Sequence, residues 1–152
     1  MSRLDNIPQF KKTFWKKIGD EIVDRVRMQT QIDGKDVYNK KFKKYSPGYA
    51  ELKPKLKRGG DTGGKVNLTL TGDMMNGLQT RGFTNQSVVL GWSGANAQKI
   101  KWNSEMGRTV TTKSKPIPDK VERYALNELK REVKKNIKQQ TSKPIVYTIG
   151  KR

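Results

Sequence analysis

The sequence predicts an α+β fold: a small antiparallel sheet flanked by two long amphipathic helices, with a long basic arm. Three observations predict it. Apolar residues recur every fourth position at Phe10, Phe14, Ile18, Ile22 and Val26, and again at Val121, Ala125, Leu129, Val133 and Ile137, the spacing of a helical stripe. Val66, Leu68 and Leu70 alternate with Asn67, Thr69 and Thr71, and "SVVLGW" over 87–92 is a short apolar run; both patterns suit strands. The lysine- and glycine-rich stretch between the first helix and these strands fits neither pattern. One domain spanning 1–152 is expected at this length.

The N-terminal helix is expected over 8–31. Pro8 suits its first turn, Lys11, Lys12, Lys16, Lys17 and Arg25 fall near the outer face, and Gly34 ends it. Residues 34–65 form the arm. From 35 onward it holds ten basic and three acidic groups, with Tyr38, Phe42, Tyr45 and Tyr49 interleaved among the lysines. "SPG" marks a turn, a short helix fits near 49–53, and the rest reads as an arm that orders on assembly. The sheet core is expected over 66–112. It opens with the strand 66–70, and Thr71 or Asp73 caps a short helix that turns Met74, Met75 and Leu78 inward. A turn around "RGFTNQ" leads to the second strand, 87–92. A helix over "ANAQKIKWNSEMG" follows, with Ala97, Ile100 and Trp102 as its inward residues, and then a polar extended connector. The last helix is expected over 118–140, opened by Pro118. Asp119 and Glu122 lie in its first turn and Lys134, Lys135 and Lys138 in its last, as the helix dipole favours. A terminal strand over 144–150 can join this sheet or a neighbour's.

Charge and hydropathy narrow the function. Thirty-three Lys and Arg against fourteen Asp and Glu give a net charge of +19. Residues 1–65 carry net +9, 66–112 net +2 and 113–152 net +8, so the excess sits on the flanks. Such a field attracts polyanions. The hydrophobic fraction is only 32% and the mean hydropathy −0.90, so burial against further copies of the chain is expected to complete a thin core. No run approaches the roughly 18 apolar residues of a membrane span. The first 17 residues have no apolar stretch of the kind a secretory leader needs, so none is expected.

The chemistry of catalysis is sparse. The chain has no histidine and no cysteine, which removes Ser-His-Asp triads, thiolate nucleophiles, and imidazole or thiolate metal ligands. Asp61, Asp73, Glu105, Asp119 and Glu122 are too scattered to suggest a metal pair, and "PDKVER" at 118–123 reads as a helix start rather than a nuclease motif. "GGDTGGK" at 59–65 runs into Val66 and a strand pattern, where a phosphate loop needs Ser or Thr and a helix. "TGDMM" lacks the serine of a hydrolase elbow. No zinc finger, helix-turn-helix or RNA-binding strand signature is present. No catalytic residue, metal or cofactor is expected.

The order of three segments carries a resemblance: "GKDVYNKKFKKYSPGYAELKPK", then "VNLTLTGDMMNGL", then "SVVLGWSGANAQKIKWNSEMGR". Over about residues 30–110 this resembles the virion-morphogenesis or tail-completion proteins of tailed bacteriophages. The matching positions are Phe42, Tyr45, Ser46, Tyr49, Ala50, Leu68, Thr71, Gly72, Leu78, Gly91, Ala97, Gly107 and Arg108. The chain departs from the pattern at Met75, where an aliphatic residue is usual, and after Arg108, where a Phe is replaced by Thr109.

The resemblance implies a structural virion subunit, not an enzyme, assembled in the host cytoplasm into a ring, expected to be a hexamer, at the neck or tail-completion site. Its implied partners are further copies of itself, a portal-side adaptor or neck protein, and a tail terminator, tube or sheath protein. Double-stranded DNA would pass through the lumen. For such a ring, Lys40, Lys41, Lys43, Lys44, Lys55, Lys57 and Arg58 are expected to face DNA or an acidic neighbour. Phe42, Tyr45, Tyr49, Leu68, Leu70, Trp92 and Trp102 are expected to pack within and between subunits. The alternative is a sequence-nonspecific basic nucleic-acid-binding protein, ribosomal or nucleoid-like.

Overall fold

The structure is a computed structural model and describes residues 10–56, 66–69, 73–92 and 94–141. Five helices and a two-stranded antiparallel sheet make an α+β fold. The helices are α1 (Lys12–Arg27), α2 (Pro47–Lys55), α3 (Asp73–Asn76), α4 (Gly94–Glu105) and α5 (Asp119–Thr141); the strands are β1 (Gln79–Phe83) and β2 (Val88–Gly91).

The period-four stripe of α1 is the centre of the core. Ile18, Ile22, Val23 and Val26 are buried, and α1 packs on both strands and on α5. Gly19 lets the hairpin come close: a Cβ there would stand 2.7 Å from Val88 Cγ2 and 2.8 Å from Thr80 Oγ1. Thr80 donates to Asp20 Oδ1 at 2.9 Å, tying β1 to the same helix turn. At its C-terminal end α1 widens into a π turn, Met28–Ile32, that buries Gln29 and Thr30. Gly34, with φ of 65°, then reverses the chain.

One of the two strands expected in the sheet core forms: "SVVLGW" gives β2, while its partner is not the expected 66–70. Val66 and Leu68 are buried as the alternation predicts, but the described part of that run, 66–69, is not a strand. Leu68 has φ of 51°, outside the extended region. Its amide donates to the Tyr45 hydroxyl at 3.1 Å, and the Thr69 amide to Asn67 Oδ1 at 3.1 Å. Donors that a ladder would need are thus taken by side chains. Residues 81–83, expected to open the turn around "RGFTNQ", instead belong to β1, Gln79–Phe83. Gln79 pairs with Gly91 and Phe83 with Val88, with a bulge between Thr80 and Gly82. The turn itself is 84–87, where Thr84 Oγ1 accepts the amides of Gln86 and Ser87, both at 3.1 Å.

Helix α4 forms where expected and packs on α3, but its inward residue is Ile100; Ala97 is exposed and Trp102 is 54% exposed. Helix α5 carries the predicted stripe, yet only Val121 is buried, Ala125 and Leu129 are partly covered, and Ile137 is 48% exposed. The Arg25 guanidinium lies 3.6 Å over the Tyr124 ring and pins α5 to α1. The predicted terminal strand lies outside the described residues.

Candidate functional site

The predicted arm is a folded platform in its described part, 34–56. Asp36 organises its first loop: Oδ1 accepts the amides of Tyr38 at 2.9 Å and Lys40 at 2.8 Å, and the Asp36 amide donates to the Lys40 carbonyl at 2.8 Å. Asn39 takes the left-handed conformation, φ 63°, that an Asx side chain tolerates. Val37 is 1% exposed, and its amide donates to the Thr109 carbonyl at 2.9 Å. Phe42 enters the core, and its amide donates to the Gly34 carbonyl at 3.0 Å. With Val37 and Phe42 as anchors, Lys40, Lys41, Lys43 and Lys44 are left exposed. An arm that orders only on assembly would not need these two buried anchors.

The platform is held from beneath by Arg108. Helix α4 ends in paired bonds, Arg108 N to Asn103 O at 2.8 Å and Gly107 N to Ser104 O at 2.9 Å, with Gly107 at φ of 77°. This double closure around a left-handed glycine fixes the direction in which Arg108 leaves the helix. Its Nε donates to the Lys43 carbonyl at 3.0 Å and Nη2 to the Lys44 carbonyl at 2.9 Å, while Nη1 contacts Met106 Sδ at 3.6 Å. The guanidinium carbon lies 4.8 Å from the Tyr45 ring centre. Lys53 approaches the same ring at 4.8 Å and donates to Asn67 Oδ1. Burial pushes the Lys53 ammonium below its ordinary pKa and the Tyr45 hydroxyl above its own.

Tyr45, Tyr49, Leu68, Met74, Met106 and Arg108 line a groove of about 620 Å³, whose wall also includes Ser46, Asp73, Lys99 and Asn103. Tyr45 and Tyr49 meet edge to face at 4.9 Å. Asn103 Nδ2 donates to the Lys99 carbonyl at 2.9 Å and contacts Met74 Sδ at 3.5 Å.

The ion pairs clarify where charge is available. All six among the described residues join positions three or four apart: Lys16–Asp20, Arg25–Glu21, Arg27–Asp24, Lys115–Asp119, Arg131–Glu128 and Lys135–Glu132. They offset three of the five cations of α1, two of the seven of α5, and Lys115 ahead of α5. Lys40, Lys41, Lys43, Lys44 and Lys55 are exposed and take part in none of them. The structure therefore brings four of the predicted basic residues onto one loop and places Lys55 on the last turn of α2; Lys57 and Arg58 lie outside the described residues.

Of the predicted packing residues, Phe42 and Leu68 are buried in the protomer's own core, Tyr45 and Trp92 pack against it, and Tyr49 lines the groove. Trp102 points outward, and Leu70 lies outside the described residues. The indole N–H groups of Trp15 and Trp92 are buried and meet no acceptor among the described residues.

Sequence reasoning missed Lys53 and Arg27 altogether. Lys53 stands in a lysine run and looks solvated, yet it is 2% exposed. Arg27 donates to the carbonyls of Met75 at 3.1 Å, Asn76 at 3.0 Å and Leu78 at 2.8 Å, closing α3 against the end of α1. Periodicity could not find either, because each bonds to residues distant in sequence.

Among the described residues no group of three or more carboxylates could hold a metal ion, and no helix is long and apolar enough to cross a membrane. No protein-family model, curated protein or solved structure matches the chain.

Proposed function

We propose that this chain is a structural subunit of a tailed-phage virion, forming a ring at the neck or tail-completion site through which double-stranded DNA passes. The observation that carries the reading is how much large apolar surface the protomer leaves outward. Among the described residues, eleven large hydrophobic side chains are exposed against fourteen buried hydrophobic ones, apolar surface available to neighbouring copies. They include Met28 and Ile32 on the π turn, Val89 on the hairpin, Trp102 on α4, and Leu126 and Ile137 on α5. Among the described residues neither edge of the two-stranded sheet pairs with a further strand, leaving a ready acceptor for a neighbour's strand. The exposed lysine loop supplies charge to a lumen that must hold DNA without reading it.

The same loop favours the second reading, a nonspecific nucleic-acid-binding protein, because that function also needs unpaired exposed lysines. Mass measurement in solution across concentration separates the two. A closed ring, hexameric by expectation, supports the subunit reading. A monomer at every concentration that shifts on short duplex DNA overturns it in favour of the binder.

A further inference from the structure

We propose that the groove between α2 and α4 is a docking site for an acidic-apolar segment of a partner protein, whose carboxylate is received by Arg108. Arg108 is only 7% exposed, lines the groove, and has no carboxylate within salt-bridge distance among the described residues. Two of its N–H groups hold the Lys43 and Lys44 carbonyls; among the described residues Nη1 has only the Met106 sulfur, at 3.6 Å, a weak acceptor. A buried guanidinium with uncommitted donors is costly to keep unless an anion completes it. Lys99, exposed on the same wall, adds a second cation, so the lining carries two cations against one carboxylate, Asp73.

The rest of the wall argues for a protein segment over a polyanion. Two tyrosines, two methionines and an arginine are the residue types enriched at the centres of protein interfaces. Trp102 and Met106, one helical turn apart and 54% and 50% exposed, extend this apolar surface beyond the rim. A phosphate backbone offers nothing for that surface to bury, whereas a side chain such as Phe or Leu beside an Asp or Glu satisfies both parts. The lysine loop faces solvent, while the groove is walled by Arg108, whose other donors support that loop from inside. The inference stands on the groove and does not require a ring.

The test uses the full chain and an immobilised array of hexapeptides, each pairing one Phe, Leu or Tyr with one Asp or Glu, beside a matched array carrying Asn or Gln. The acidic peptides should be retained about tenfold more strongly than their amide counterparts. Lys99→Glu, an exposed change that leaves the fold in place, should remove that preference, and Arg108→Gln should remove it as well. If Arg108→Gln fails to fold, Lys99→Glu together with Met106→Asp decides. Equal retention of acidic and amide peptides, no retention of either, or an unchanged preference in Lys99→Glu overturns the proposal. So does competition by a 12-base-pair duplex without any peptide preference, which would assign the groove to a polyanion. Retention that emerges only in Asp61→Asn would assign the groove to this chain's own acidic segment and overturn it equally.

Discussion

Arg27 shows how one side chain can do the work of an element. Helix α3 has four residues, too few to stabilise itself, and the Met75 and Asn76 carbonyls at its end, with that of Leu78 beyond it, accept from the Arg27 guanidinium. Arg27→Ala leaves the carbonyls of Met75, Asn76 and Leu78 without that donor. We expect a loss of about 2–3 kcal/mol, read as a lower urea midpoint with unchanged slope. Asp20 makes a different prediction at the same scale. The hydrogen bond from Lys16, aided by that from Thr80, holds its carboxyl below the usual carboxylate range. Its contribution is therefore fully present above the unfolded-state value of 3.8 and is lost as pH falls through the lowered folded value. The stability difference between the native protein and Asp20→Asn should stay constant from neutral pH to roughly pH 5 and shrink below about pH 4. The basic loop of the candidate site was legible at this scale because four lysines in five residues mark themselves. The support under it was not: Arg108 stood out only as a position in a motif, and nothing in the sequence said that its donors would be spent on the Lys43 and Lys44 carbonyls.

Among elements, the helices and β2 were legible and β1 was not, for one physical reason. A helical stripe is written in local spacing, so α1 and α5 follow from their own residues. A strand is defined by its partner, and the polar segment 79–83 becomes β1 because Val88–Gly91 and helix α1 flank it, overriding propensity. Its alternating rival at 66–69 buries the expected side chains but gives up its amides to Tyr45 and Asn67. The crossing of α1 over the hairpin is where this packing can be tested. In an open helix Gly19→Ala would stabilise by up to about 1 kcal/mol. Here the added methyl meets Val88 Cγ2 at 2.7 Å and Thr80 Oγ1 at 2.8 Å, and both neighbours are β-branched and stiff. We expect net destabilisation of about 1–3 kcal/mol. Val88→Ala should relieve part of it, so that the double variant is more stable than the sum of the two single losses predicts. Additive losses would mean that the crossing is looser than the distances imply.

For the whole molecule, charge is divided by location. The helices offset part of their own charge through local ion pairs, the core takes Lys53 and Arg108 and solvates them with carbonyls and a tyrosine ring, and the loop 40–44 leaves its lysines exposed and outside those pairs. Replacing Lys40, Lys41, Lys43 and Lys44 together by Gln tests that division. These side chains are exposed and outside the six ion pairs, while the anchors Val37, Phe42 and Asp36 are untouched, so the urea midpoint should stay where it is. Binding to duplex DNA should weaken without regard to sequence. If each lysine meets one phosphate, the slope of log affinity against log salt should become shallower by about 3–4, close to 0.9 for each contact removed. In the ring reading the same variant should still assemble, because the apolar surface that joins subunits is intact, yet fail to retain DNA in particles. A variant whose salt slope matches the native protein's would place the polyanion elsewhere on the surface, and one that unfolds would make the loop lysines part of the fold.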